Sequence, residues 1–204
     1  MALTARDGFA SSLALRPLGR ADRSEWERVR RENTDWVGPW EPTAPDGIPT
    51  RMSFGQYVRW MRREGRGGST LPFLIEVDGR ISGQMHLFGI TRGSLLSGAA
   101  GYWVARHAAG AGVATRSLAL LCDYALGAAG LHRVEVNIRP ENTRSLAVVQ
   151  HLQFRDEGVR ERYLHIEGAW RDHRTFALTR EDVTTGSVIQ RWARWRDPAQ
   201  AAPT

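Results

Sequence analysis

Gly101-Tyr102-Trp103-Val104, followed closely by Gly110-Ala111-Gly112-Val113-Ala114-Thr115, reads as a strand that runs into a turn of small residues and then straight into a helix. The first N–H groups of a helix have no partner inside it, and the helix dipole places partial positive charge there. With no bulky side chain in the way, such a turn is an anion site suited to phosphates. Tight packing explains many glycine turns equally well, so the pattern has to be tested against known phosphate-binding arrangements. A P-loop needs a Gly-Lys-Ser/Thr ending, and all 28 basic residues of the chain are arginine. A dinucleotide fingerprint needs a third glycine near Thr115, which is absent.

Working outward, the predicted helix runs from Gly112 to about Ala128 with Leu118, Leu121 and Ala125 on one face. His132 to Arg139 alternates as a strand through Val134, Val136 and Ile138. Pro140-Glu141-Asn142 opens a further helix, and Phe154 to Tyr163 and Arg174 to Leu178 read as two closing strands. Upstream, Phe73 to Val77 and Arg80 to about Ile90 flank Asp78-Gly79, a strong hairpin signal. Before these, Leu13 to Leu18 reads as a strand. Asp22-Arg23-Ser24-Glu25 reads as a capping-box-like start for a helix carrying Trp26 and Val29 inward. A Trp-, Pro- and Gly-rich loop spans Asp35 to Thr50. Ser53 with Gln56 then caps a helix whose face is Phe54, Tyr57, Val58 and Met61. The order is strand, two helices, three antiparallel strands, helix, strand, helix, two strands. It predicts one α/β (α+β) domain: a mixed, mostly antiparallel sheet of about seven strands with helices on both faces.

Composition sets the outer limits. The chain has 204 residues and a net charge of +6, which fits one domain with a full core and a surface attractive to polyphosphates, acidic peptides or RNA. No run of apolar residues is long enough for a membrane helix, and Met1 to Leu15 lacks the order of a secretory signal. The single cysteine, Cys122, gives neither a disulfide framework within the chain nor a cysteine metal site, and reads as core. The expectation is a cytoplasmic protein with no membrane partner and no metal.

Ala109-Gly110-Ala111-Gly112-Val113-Ala114 resembles the acetyl-CoA-binding motif of GNAT acyltransferases, Gln/Arg-x-x-Gly-x-Gly/Ala, with Ala109 departing from the family's first position. The preceding Gly-Tyr-Trp-Val and following Ala-Thr resemble the RimJ/RimL branch, ribosomal-protein-alanine N-acetyltransferases. Two further blocks carry the likeness: Leu131-His132-Arg133-Val134-Glu135-Val136 with Arg139-Pro140-Glu141-Asn142-Thr143-Arg144-Ser145, and Leu152-Gln153-Phe154-Arg155-Asp156-Glu157-Gly158. Together they cover about Ser97 to Leu178.

The resemblance implies a GNAT domain over residues 1–182 whose fourth and fifth strands splay apart, with 183–204 as a tail. It implies transfer from acetyl-CoA to an amine by direct attack in a ternary complex. The pantetheine would pair with backbone near Trp103, Val104 and Ala105, and Gly110, Ala111, Gly112, Val113, Ala114 and Thr115 would receive the pyrophosphate. Asn137 and Asn142 join this cofactor set, Asn142 being equally a helix N-cap. Ser145 takes the place of the serine proposed as acid in RimL-type enzymes, or is a structural serine in a first helical turn. Leu164 stands where those enzymes carry a glutamate, so no base is carried over. On the acceptor side the resemblance points to Trp36, Trp40 and Glu41, which otherwise staple their loop down. His86 would face the same cleft, or be merely a half-buried strand histidine.

Three activities remain open on the sequence: acetylation of a protein N-terminus such as that of a ribosomal protein beginning with alanine, acylation (acetyl or succinyl) of a small amine or antibiotic, and non-catalytic acyl-CoA binding. Ribosome association belongs with the third, a non-catalytic acyl-CoA-binding or ribosome-associated protein. In the tail, Val188, Ile189, Trp192 and Trp195 fall at near-helical spacing ahead of Asp197-Pro198. They predict packing on the domain or on a second subunit of a homodimer.

Overall fold

The computed structural model describes residues 2–5, 11–46, 52–183 and 186–196. In chain order the elements are β1 (Leu3–Thr4), β2 (Leu13–Arg16), α1 (Arg23–Glu32), α2 (Thr34–Val37), α3 (Phe54–Gly67), β3 (Leu71–Val77), β4 (Arg80–Thr91), β5 (Ser97–Val104), α4 (Val113–Leu126), β6 (Arg133–Ile138), α5 (Thr143–His151), β7 (Arg155–Ile166), β8 (Ala169–Thr179) and α6 (Val188–Arg196). One sheet carries eight strands in the order β1-β2-β3-β4-β5-β6-β8-β7. All neighbours are antiparallel except β5 and β6.

The β5–β6 junction positions the site. Ladder pairs run Ser97 to Arg133, Gly98 to Val134 and Ala99 to Glu135, and then stop. β5 continues to Val104 and β6 to Ile138, so the two strands diverge and leave a gap between their C-terminal halves. On the other side of β5, Gly83 of β4 pairs with Val104, at a φ of 156°. A Cβ there would lie 2.2 Å from the Trp103 carbonyl oxygen, so only glycine lets the two strands approach at this point.

Two cores sandwich the sheet. On one face Leu15, Met85, Leu87, Val134, Val136 and Phe176 pack against Leu118, Leu121 and Cys122 of α4, Val149 of α5 and Trp192 of α6. On the other, Leu74 and Ile81 meet Val29 of α1 and Val58 and Met61 of α3. The α3 cap forms as the Ser53/Gln56 pattern requires: the Ser53 N–H donates to the Gln56 side chain at 2.8 Å, and Ser53 Oγ accepts from the Gln56 N–H at 3.3 Å.

Several expected boundaries move. The sheet has eight strands because the two-residue β1 adds to β2. β7 and β8 are longer than their predicted segments and meet at Glu167-Gly168, both at positive φ. The Asp22/Glu25 box does not form: Asp22 accepts from the Gly19 N–H and pairs with Arg16, while Glu25 accepts from the Ile81 N–H of β4. The predicted loop 35–50 begins as helix, with α2 followed by a 3-10 turn at Gly38–Trp40, and its residues 47–50 lie outside the described residues. Asp197-Pro198 and the Trp195 side chain lie outside them too. α6 folds back and packs on α4.

Candidate active site

A cavity of about 1080 Å³ passes through the gap between β5 and β6. At one end lies the glycine turn. After a 3-10 turn at Arg106–Ala108, Gly110 (φ 80°) and Gly112 (φ 73°) bend the chain so that α4 starts at Val113 with no side-chain cap. The Arg116 N–H donates to the Gly112 carbonyl at 2.9 Å, which leaves the amides of residues 113–115 as the unpaired first turn. Gly110 through Thr115 all line the cavity, an arrangement of free helix-start amides and mostly small side chains that suits a phosphate.

The middle of the cavity is the splay itself. Trp103, Val104, Asn137 and Asn142 line it. Ala105 does not: it is fully buried, its N–H donates to the Ser82 carbonyl, and its carbonyl accepts from the Ala108 N–H. Both its backbone groups are engaged within the chain, and Ala105 stands behind the cavity wall. Asn137 Oδ1 accepts from the Thr175 hydroxyl at 2.8 Å, and Asn142 Oδ1 accepts from the Ser145 N–H at 3.1 Å. Asn142 is therefore the α5 N-cap as well as a wall of the cavity.

Ser145 lines the same space, and its electrostatic partner is the Tyr102 phenol. The Tyr102 oxygen is buried without a well-aligned hydrogen bond, and burial pushes its pKa up to about 12, with Ser145 pulling the other way. The sequence stretch contained Tyr102 but gave it no role. Strand alternation is the signal that assigns one: Ala100, Tyr102 and Val104 pack toward α4 and α5, while Trp103 points to the opposite face.

At the far end the Trp36–Pro42 segment closes the wall. The Trp36 indole N–H donates to the Val104 carbonyl at 3.0 Å, and Arg144 and Arg106 stack on its ring at 4.4 and 5.0 Å. Arg139 stacks on Trp40 at 5.3 Å and donates to the Pro39 carbonyl at 2.8 Å. Glu41 forms an ion pair with Arg30 at 2.7 Å and is the one carboxylate lining the cavity among the described residues. Three carboxylates near Leu164 in sequence, Glu161, Glu167 and Asp172, are not among the lining residues. The opposite wall holds Tyr57, Gln84 and Trp103, joined in a chain: the Trp103 indole donates to Gln84 Oε1 at 3.1 Å, and the Gln84 amide donates to the Tyr57 oxygen at 3.2 Å. His86 stands beside them, its Nε2 buried and unpartnered, with burial lowering its pKa to about 4. Leu164 and His173 complete this end.

Residues 12–155 match the acetyltransferase (GNAT) domain family. The chain belongs to the GNAT acetyltransferases. It is 30% identical over 169 residues to the [ribosomal protein uS5]-alanine N-acetyltransferase of Escherichia coli, covering 81% of this chain and 87% of that enzyme. It is 27% identical over 175 residues to the probable N-acetyltransferase YjcK of Bacillus subtilis, covering 84% and 96%. The structure of Mycobacterium smegmatis RimJ in complex with CoA-disulfide aligns at a TM-score of 0.82 and 39% identity, over 88% of this chain and 87% of that one. The protein is thus an acetyl-CoA-dependent N-acetyltransferase of the RimJ/RimL type. Its own cavity is compatible with that donor: free helix-start amides at one end open into the gap where the β5–β6 ladder has stopped. Among the described residues no helix is long and apolar enough to cross a membrane.

Proposed function

We propose that this acetyltransferase acts on the N-terminal α-amine of a protein, the expected target being a ribosomal protein that begins with alanine. What supports the reading is the weakness of the bases at the acceptor end. Glu41 is held by Arg30, and His86 stays neutral far below pH 7 with too low a pKa to strip a proton from an alkylammonium. A protein α-amine has a pKa of about 7.7–8.0, so a substantial fraction is neutral at about pH 7.5, whereas a lysine amine near about 10.4 is neutral only about one time in a thousand. The site suits the acceptor that needs least help.

Acetyl-CoA supplies the activated acyl group when bound. Gly110 to Thr115 hold its phosphates, and Trp103, Val104, Asn137 and Asn142 border its arm. Trp36, Trp40, Glu41 and His86 shape the opening through which the amine approaches. Ser145, with Tyr102 behind it, is placed to give a proton to the departing sulfur. The net charge of +6 suits work beside ribosomal RNA in the cytoplasm.

CoA-thiol release is measured with short peptides beginning Ala, Ser or Met, with spermidine as counter-substrate. Release dependent on the Ala and Ser peptides supports the proposal. Preference for spermidine moves the acceptor to small amines, and silence with acetyl-CoA against activity with succinyl-CoA changes the acyl group.

A further inference from the structure

The C-terminal helix α6 lies beyond the part of the chain that matches the family domain, yet it reaches the cofactor end of the cavity. Its start is anchored on α4: Asp123 accepts from the Val188 N–H at 2.6 Å and from the Ile189 N–H at 3.2 Å, filling the place of an N-cap. Val188, Ile189 and Trp192 are buried in the main core. The Trp192 ring covers the glycine turn so closely that a Cβ on Gly112 would lie 3.0 Å from it. One helical turn later comes Arg196, an exposed residue whose guanidinium sits 5.8 Å from the Trp192 ring centre. Trp192 and Arg196 both line the cavity.

The glycine turn itself supplies no charge, since Ala109 through Thr115 contain no ionisable side chain. Backbone amides give direction, and a helix end adds only about half a unit charge. A ligand with several phosphates calls for a full cation, and a guanidinium meets phosphate oxygens in a two-pronged geometry. We infer that Arg196, positioned by Trp192 on α6, is a phosphate-binding residue of the CoA site. The inference rests on acetyl-CoA as the donor and on nothing about the acceptor. α6 is then a functional wall of the enzyme as well as a packing element.

Calorimetric titration of the full chain with CoA and with 3′-dephospho-CoA, no acceptor present, tests it. Arg196→Gln is expected to raise the Kd for CoA about tenfold, as loss of a charge-assisted hydrogen bond does. Arg194→Gln, on the same helix but away from the cavity, is the control and leaves Kd unchanged. Because Arg196 is exposed, its melting temperature should match the wild type, so a weakened Kd cannot be laid to unfolding. A loss confined to CoA assigns Arg196 to the 3′-phosphate, and an equal loss with both ligands assigns it to the pyrophosphate. Either supports the inference. An unchanged Kd for CoA in a folded Arg196→Gln protein overturns it.

Discussion

The Trp36 indole N–H is bonded to the Val104 carbonyl at 3.0 Å, which ties the acceptor segment to the last residue of the strand beside the splay. On the proposed function, a shift in the Trp36–Pro42 segment that shapes the acceptor opening is passed through this bond to Val104, which borders the channel proposed for the arm of acetyl-CoA.

Trp36→Phe keeps a ring for Arg144 and Arg106 to stack on but removes the donor, leaving the Val104 carbonyl without its partner. The expected cost is about 1–3 kcal/mol of stability, together with a rise in KM for the peptide and a smaller change in the Kd of CoA. Thermal melts and steady-state kinetics with an Ala-starting peptide check this. A changed Kd for CoA with an unchanged peptide KM would mean that Trp36 serves the donor side instead.

Ser145 lies close enough to the Tyr102 phenol to pull its pKa down, and the proposed function makes Ser145 the proton donor to the departing sulfur. Ser145→Ala and Tyr102→Phe are each expected to lower kcat about ten- to a thousandfold while leaving the Kd of CoA near the wild-type value. If they act as one donor unit, the double variant loses little more than the worse single one. Additive losses would show two independent roles, and a wild-type kcat in Ser145→Ala would remove it from the chemistry.

Much of this site was legible in the chain because its logic is local. A strand running into Gly110-Ala111-Gly112 and on to a helix demands left-handed turns and bare amides, and both are found. The Ser53/Gln56 cap and the Asp78-Gly79 hairpin are equally short-range. What was not legible depends on partners distant in sequence. Glu25 leaves its helix to accept from Ile81, and Ala105 spends its backbone on Ser82 and Ala108. β7 blurs because Arg155 through Tyr163 show mostly charged, exposed side chains, so no apolar period marks its length. Tyr102 needed knowledge of which face α5 covers. The role of α6 needed its fold-back onto Gly112.

Among the groups that line the cavity, burial raises the pKa of Tyr57 and Tyr102 and lowers that of His86 and His173. Tyr102, at about 12, stays protonated through the working range, and His86, at about 4, stays neutral through it. Neither contributes a limb between pH 6 and 9. With an α-amine peptide, kcat/KM is expected to rise through a single apparent pKa of about 7.7–8.0, set by the acceptor, and then level off. His86→Asn should leave that limb in place. A limb near about 6.5 that vanishes in His86→Asn would make the histidine a titrating base.

Gly112 and Gly110 both sit at positive φ, but only Gly112 faces an obstacle. Gly110→Ala bears the left-handed backbone penalty alone, about 1–2 kcal/mol, because nothing lies within 4 Å of its added Cβ. Gly112→Ala bears the same penalty and also presses on the Trp192 ring, so about 1–3 kcal/mol more is expected, with a weaker thermal shift on adding CoA. Trp192→Leu shortens the obstacle. If contact with the ring is the source of the extra cost, Gly112→Ala should be less destabilising in the Trp192→Leu background than in the wild type, in a double-mutant cycle read by thermal melts. Additive costs would show that the two residues do not act on one another, and that α6 can shift away from the glycine turn without loss.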